Sequence, residues 1–385
     1  MCILFYRILK MVFKKFSIYI DGLFFKGSGI GRYYESLVKE MSLKGIKIYT
    51  CVPIWLKDDF EECFKNYRNI EAIYVNYSKY SLKGFVMQSA ILRKLEKKVD
   101  LFFYPHINLP MYIPKNTIIT VHDLTPFTKF WDRNVFKKKY YKFIFERAMN
   151  QCKGIIVISD ATKKDLIKFD KTVESKIKVI YEFIDDKFIK SDMSGNFQSK
   201  PLIYGDYILF IGNRKKHKNL ERLIYAFNKI KNQLKYKLVI AGSKDKNNGL
   251  KDGIDLLIQK LGLRNEIIEL ISPDDETIIN LYKNAQLFMF PSLYEGFGLP
   301  PIEAMACGCP VAVSDLPVLK EVCGDAAIYF NPESEEDIAA KIINICEDNE
   351  LKQSLVSKGK ERLKFFDKNN IIEEYLKYFK SLNFE

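Results

Sequence analysis

The sequence has no C-x-x-C pair, only three histidines and two tryptophans in 385 residues, and no apolar run near the roughly 18 to 20 residues that cross a bilayer. The first absence removes the zinc and dithiol redox sites built on that spacing. The eight cysteines follow no regular framework and read as reduced, mostly buried thiols of a cytoplasmic protein. Cys307-Gly308-Cys309 suits neither a zinc site nor a relaxed disulfide. Met1 to Phe16 is apolar, but Arg7, Lys10, Lys14 and Lys15 interrupt it and no small-residue cleavage site follows. It reads as a surface-lying or extended segment before the first strand, not as a signal peptide. Helix-turn-helix, zinc-finger and RNP-like patterns are missing too, so no nucleic-acid partner is expected.

What the sequence does have is length for two full cores, since single cores stop growing near roughly 250 to 300 residues. It also has a lopsided charge. Residues 1–190 carry 35 Lys/Arg against 20 Asp/Glu, so the formal excess of +13 belongs to that half and the remainder is slightly acidic. A basic half can face anionic lipid or an acidic ligand. Val135 to Met149 sharpens this: Lys137, Lys138, Lys139, Lys142 and Arg147 interleave with Phe136, Tyr140, Tyr141, Phe143, Ile144 and Phe145. The segment reads either as a packed helix with one solvated face or as a helix that docks on an anionic membrane surface.

Along the chain, short apolar runs alternate with helical patterns, which predicts parallel α/β architecture. Strands are expected at Phe16 to Asp21, Ile46 to Val52, Leu101 to Tyr104, Thr117 to Val121 and Gly154 to Ile158. Ser191 to Pro201 is polar and helix-poor and reads as a linker. Beyond it, strands are expected at Tyr207 to Ile211, Lys237 to Ala241, Ile267 to Ile271, Leu287 to Phe290 and Pro310 to Val313, with a polar loop at Lys244 to Gly253. Ile371 to Leu382 is a last helix, capped by Asn369 or Asn370, with Ile372, Tyr375, Leu376 and Phe379 on one face.

Ligands of open α/β sheets bind at the carboxyl ends of strands, so the strand-end loops carry the candidate chemistry. Lys26 to Tyr33 is a glycine-rich loop opening a helix. Tyr34 stands where the dinucleotide fingerprint needs its third glycine, so the loop is either a packing turn or a phosphate-facing one. His122-Asp123-Leu124 ends a strand, and His106 in Tyr104-Pro105-His106 ends another with a weaker claim. Gly212-Asn213-Arg214-Lys215-Lys216-His217-Lys218-Asn219-Leu220 is a strand, glycine, basic loop and helix in sequence: a phosphate site by construction, or a solvated charge run.

The most informative stretch is Phe288 to Gly308. Pro291 ends a buried strand, and Glu295, Gly296 and Gly298 lie in the loop beyond it. Pro300 and Pro301 then suit the first turn of a helix of about two turns, which Gly308 ends. Gly296 and Gly298 let backbone N–H groups approach an anion, the helix start adds its positive dipole end, and Glu303 leans back toward the same crevice.

E-G-F-G-L-P-x-x-E-A-M-A-x-G-x-P-V, running from Glu295 to Val311, resembles the donor-site signature of glycosyltransferase family 4, with its two glutamates at the E-x7-E spacing. Glu321 to Ala327 is similar to the family's E-V-x-G-D-A-A, Gly29 to Tyr33 to its G-I-G-R-Y, His122 to Leu124 to its H-D-L, and Gly212 to Leu220 to its G-x5-K-N-L. The resemblance implies a GT-B fold: two Rossmann-like α/β/α domains facing across a cleft, with a C-terminal helix crossing back to the first. The boundaries expected are 1–190 for the acceptor domain, 191–203 for the linker, 204–365 for the nucleotide-sugar domain and 366–385 for the returning helix.

The resemblance also implies roles. Glu295 would take sugar hydroxyls, Lys218 the donor diphosphate, Glu303 the ribose, and His122 a place near the transferred sugar. Gly29, Gly31, Gly296, Phe297, Gly298 and Leu299 would line the donor phosphates. Arg214 would stand in for the arginine that many members carry directly after the glycine, where this chain has Asn213. The activity implied is retaining hexosyl transfer from a nucleotide-diphosphate sugar, with GDP-mannose the suggested donor, to a glycan or lipid-linked acceptor. The location expected is cytoplasmic, either free or peripheral at the inner face of the plasma membrane. No D-x-D occurs, so no metal and no cofactor is expected. Related enzymes usually turn on N-G-V-D where this chain has Glu182-Phe183-Ile184-Asp185, which leaves that turn's role open. The rival readings are a nucleotide-sugar epimerase or phosphorylase of the same fold and a non-catalytic nucleotide-sugar-binding scaffold.

Overall fold

Strands with no polar residue facing out must be covered on both sides, and both halves of the chain build sheets of that kind. The computed structural model describes residues 16–131, 133–193, 201–244 and 253–382. The expectations for Met1 to Lys15, for most of the linker and for the loop after Lys244 lie outside these residues.

The first sheet consists of β1 (Ser17–Ile20), β2 (Lys47–Pro53), β3 (Ile70–Val75), β4 (Leu101–Tyr104), β5 (Thr117–Val121), β6 (Gly154–Val157) and β7 (Ile177–Val179). Its order is β3-β2-β1-β4-β5-β6-β7, and every pairing is parallel. The second consists of β8 (Tyr207–Ile211), β9 (Lys237–Gly242), β10 (Ile267–Ile271), β11 (Leu287–Phe290), β12 (Val311–Ser314) and β13 (Ile328–Phe330), in the order β10-β9-β8-β11-β12-β13, again all parallel. Strand order reverses between β1 and β4 and between β8 and β11. Those two positions are where a crevice opens at the carboxyl ends.

β1, β4, β5, β6, β8, β11 and β12 are buried along their whole length, which is why their apolar runs are legible as strands. β3 is not, because Glu71 interrupts its apolar pattern and most of its residues are only partly buried. Glu71 instead meets Lys47 of β2 at 3.0 Å.

The helices that position the site are α1 (Ser28–Leu43), α2 (Lys57–Phe64), α3 (Leu82–Leu95), α4 (Val135–Gln151), α5 (Asp160–Phe169) and α6 (Asp186–Met193) in the first half. The second half adds α7 (Leu220–Ile230), α8 (Gly253–Lys260), α9 (Asp275–Asn284), α10 (Leu299–Ala306), α11 (Pro317–Cys323), α12 (Glu335–Glu347), α13 (Asn349–Arg362) and α14 (Lys368–Ser381). α14 crosses back: Ile371, Ile372, Tyr375 and Phe379 are buried in the first lobe's core with Phe103 and Ile18. Gly154 in β6 makes room for it, since a Cβ there would meet the Tyr378 hydroxyl at 2.3 Å. The cap of α14 is Asp367, whose carboxylate accepts from Asn370 N–H at 3.0 Å, not Asn369 or Asn370. An Asp at this earlier position satisfies the same kind of orphan donor and suits the positive end of the helix dipole as well.

Ile184 and Phe188, which the expected boundary at 190 assigns to the first domain, are buried in the second lobe's core, where the Phe188 ring lies 6.4 Å from that of Tyr282. The chain therefore begins packing on the second lobe before α6 ends.

Candidate active site

On the second lobe, β8 leads into the basic loop and ends at Asn219, whose φ of 57° places it in the left-handed region that Asn tolerates. Its amide locks the turn by donating to the carbonyls of Pro291 and Pro332, at 2.9 and 2.7 Å. The preceding residue, Lys218, is thereby sent over the Phe290 ring, 5.2 Å from its centroid, to Glu295, where Nζ and Oε1 lie 2.6 Å apart. Leu293 N–H donates to the His217 carbonyl at 2.7 Å and ties the two strand-end loops together. Lys218 and Glu295 are 15% and 13% exposed and point at one another from adjacent strand ends.

The helix beyond that loop, α10, starts at Gly298. Its φ of 126°, and a Leu319 methyl that would lie only 2.9 Å from any Cβ added there, demand glycine. Pro300 and Pro301, which carry no N–H, occupy its first turn and no side chain caps it, so the Leu299 N–H and the positive dipole end are left to an incoming anion. Gly308, at φ 74°, ends it. Glu303 leans back from α10 to receive the Tyr282 hydroxyl at 3.3 Å. Burial pushes its carboxyl up to about 7, against the pull of Arg32, Lys187 and Tyr282 and with the push of Asp275. Arg32 and Lys187 meet Asp275 at 3.1 and 2.7 Å, a bridge from α1 and α6 to α9 beside Glu303.

On the first lobe, His122 follows β5. Its Nε2 lies 3.0 Å from the Pro105 carbonyl and its Nδ1 3.4 Å from Glu182 Oε1. His106, at the end of β4, is buried and satisfied: Nε2 meets Asp21 at 2.9 Å and Nδ1 accepts from Asn108 N–H at 3.1 Å. Gly29 is exposed at the start of α1 with open space on its Cα. Gly31 is a buried packing glycine, since a Cβ there would meet the Phe24 carbonyl at 2.6 Å.

Between the lobes, the signature loop is itself the contact. A Cβ on Gly296 would sit 2.0 Å from the His122 carbonyl oxygen, so only glycine permits this approach. The Gly296 carbonyl accepts from Ser159 Oγ at 2.7 Å and Thr162 Oγ1 at 3.1 Å. The Tyr294 hydroxyl accepts from Leu124 N–H and donates to Asp165, both at 3.1 Å. Glu321 caps α5 from across the cleft, accepting from the N–H groups of Asp160 and Ala161 at 2.6 and 3.0 Å.

One expected donor contact, Arg214, is corrected. The Phe297 ring is buried between Tyr181 and Phe366, 5.7 Å from each, and holds the lobes together; only its backbone is left for a ligand. Arg214 is 3% exposed and bound to Asp255 at 2.9 Å and to Glu269, with Lys244 on the same carboxylates, so its charge is spent inside the second lobe. The sequence did not announce Glu182, Ser159, Thr162, Tyr294 or the Arg32–Asp275–Lys187 bridge. Their partners are more than 50 residues away, and no local pattern encodes such a meeting.

Residues 27–188 match the family model described as Glycosyltransferase Family 4, and residues 197–362 that described as Glycosyl transferases group 1. Among curated proteins, the chain is 30% identical over 240 residues to the O-antigen chain mannosyltransferase RfbU of Salmonella typhimurium, covering 62% of this chain and 63% of that one. The matched stretch thus spans less than two thirds of RfbU. It is 26% identical over 290 residues to the O-antigen chain mannosyltransferase B of Escherichia coli, covering 73% and 74% of the two chains. Among solved structures, the glycosyltransferase of Rickettsia africae superposes with a TM-score of 0.75 at 18% identity over 96% of this chain and 99% of that one, a likeness of fold, here GT-B.

Proposed function

The chain belongs to glycosyltransferase family 4, and from that premise we propose that it is a retaining hexosyltransferase that takes a nucleotide-diphosphate sugar and a glycan or lipid-linked acceptor and uses no metal ion. The observation that carries this reading is the meeting of Lys218 and Glu295 beside the uncapped start of α10. In the reaction, the bond from the anomeric carbon to the β-phosphate oxygen breaks and its electrons stay with the diphosphate. A bond from the acceptor oxygen forms on the same face, and the acceptor proton passes to the leaving phosphate. The protein's task is to stabilise negative charge on that diphosphate. Lys218 and the Leu299 N–H at the start of α10 do so, and Glu295, released from Lys218, takes sugar hydroxyls.

The names of RfbU and mannosyltransferase B favour a mannosyl donor, GDP-mannose. The test is turnover of nucleotide sugars with and without EDTA. Hexosyl transfer that persists in EDTA is expected; its abolition there, with rescue by magnesium, would overturn the metal-free reading.

Glu303 gives the proposal a pH signature. A carboxylate that accepts ribose hydroxyls is strongest when ionised. In the free protein, burial raises the Glu303 carboxyl to about 7, so its contribution to folding is full below the ordinary carboxylate range and fades as pH rises through 7. Nucleotide binding then has to remove that proton. Affinity for the nucleoside diphosphate is expected to rise between about pH 5 and 7 and level off above, and Glu303→Gln should flatten the curve. Calorimetric titrations across this range check it; an identical slope in the variant would count against the assignment.

The acceptor side is read from α4, where Phe136, Tyr140 and Phe143 form an exposed stripe flanked by Lys137 and Lys139. No helix among the described residues is long and apolar enough to cross a membrane. This face is proposed to rest on anionic lipid, with each lysine contributing about 1 kcal/mol. The protein should pellet with anionic vesicles and be released by salt. Equal binding to neutral vesicles would defeat the idea.

A further inference from the structure

We infer that Glu182 is a positioning residue that holds His122 in its doubly protonated form, so that the first lobe presents a fixed cation to the cleft. This rests on the reading of the cleft as the transfer site. His122 Nδ1 lies 3.4 Å from Glu182 Oε1, and Nε2 lies 3.0 Å from the Pro105 carbonyl oxygen. Both neighbours accept and neither donates. A neutral imidazole carries one N–H, so whichever nitrogen lacked the proton would turn its lone pair on an acceptor oxygen. Only the imidazolium satisfies both.

The surroundings enforce the arrangement. Glu182 follows β7 and is 8% exposed, and a carboxylate in such a place is costly unless paired. The Tyr33 ring stands edge-on to the imidazole at 4.8 Å, and its own hydroxyl is engaged with Thr120 and Tyr375. The charged groups facing His122 are Glu182 and, from its own loop, Asp123, whose carboxylate also accepts from Thr125 N–H at 2.7 Å. Burial by itself would depress the imidazole, and Glu182 through its hydrogen bond and charge, with Pro105 and Asp123, raises it above its ordinary value. The departure from Asn-Gly at Glu182-Phe183 thus has a use. The His122 carbonyl lies against Gly296, so the backbone of this residue adjoins the loop that carries Glu295; on the reading of the cleft as the transfer site, the imidazolium would favour charge developing on a leaving diphosphate.

The experiment is a histidine titration by NMR on the full chain with isotope-labelled histidine. Its three histidines are His106, His122 and His217, and the His122 signal is the one lost in His122→Asn. In the wild type, both His122 nitrogens should carry protons at pH 7. Glu182→Gln should move the transition to lower pH by about one unit or more, and Glu182→Asp should restore most of it. The alkaline limb of kcat/KM should move with it. A neutral His122 in the wild type at pH 7, an unmoved transition in Glu182→Gln, or a uniform loss of kcat with an unchanged pH profile would each overturn the inference. Should Glu182→Gln fail to fold, the wild type and Glu182→Asp still decide. Failure of the transferase reading would appear differently, as no turnover on any nucleotide sugar with the ring titration intact.

Discussion

Lys218→Ala is expected to lower kcat/KM by about 2 to 4 kcal/mol of transition-state stabilisation, roughly 30- to 1,000-fold, with the fold retained. Lys218 is the cation that the turn at Asn219 aims over the Phe290 ring at Glu295, 2.6 Å away. In the free protein the pair neutralises itself. When a diphosphate arrives, the ammonium exchanges a carboxylate for a doubly charged leaving group whose charge grows as the glycosidic bond breaks. Glu295→Ala should cost a similar amount for a different reason, the loss of its contact to sugar hydroxyls. Because the two side chains touch, the double variant should lose less than the sum of the single losses. Steady-state kinetics, with thermal unfolding as the folding control, tests this. Near-wild-type turnover in either single variant would count heavily against the site.

Gly296→Ala should be nearly as damaging although it removes nothing. The added methyl would sit 2.0 Å from the His122 carbonyl oxygen and 3.0 Å from Asp123 Cβ, both of them on the other lobe. The loop or the lobes must move apart. The bonds from Ser159 and Thr162 to the Gly296 carbonyl then stretch, and Glu295, one residue away, is displaced. Overpacking of this kind costs about 1 to 3 kcal/mol, and an ångström of misplacement at a reacting centre costs on the order of 100-fold in rate. A lowered melting temperature with at least a tenfold loss of kcat/KM is the expected result. A variant with unchanged melting and turnover would show that the lobes do not meet here when the enzyme works.

The parts of this molecule that were legible in the sequence share one property: the signal is local. Leu287 to Phe290 and Tyr207 to Ile211 read as strands because sheets buried on both faces need uninterrupted apolar runs. Pro300, Pro301 and Gly308 marked both ends of α10 because each residue has one conformational use there. The pairing of Lys218 with Glu295 was within reach only through the order of motifs, since 77 residues separate them.

What failed to show was everything decided by a partner distant in the chain. Arg214 looked like a phosphate ligand because its loop is basic, and nothing local tells that Asp255 and Glu269 consume it. Nothing local tells that Gly31 packs on the Phe24 carbonyl or that the Phe297 ring packs between Tyr181 and Phe366. Glu182 departs from the turn usual in related enzymes, and only the structure sets it beside His122.

The most direct measurement is a thermal-shift and calorimetric titration of GDP, UDP, ADP and dTDP against the wild type and Lys218→Ala. One nucleoside diphosphate should stabilise the wild type by about 2.7 kcal/mol at a hundredfold excess over Kd, and Lys218→Ala should lose most of that affinity. If no nucleotide binds the wild type, or if the preferred one binds Lys218→Ala equally well, the crevice between the lobes is not a donor site.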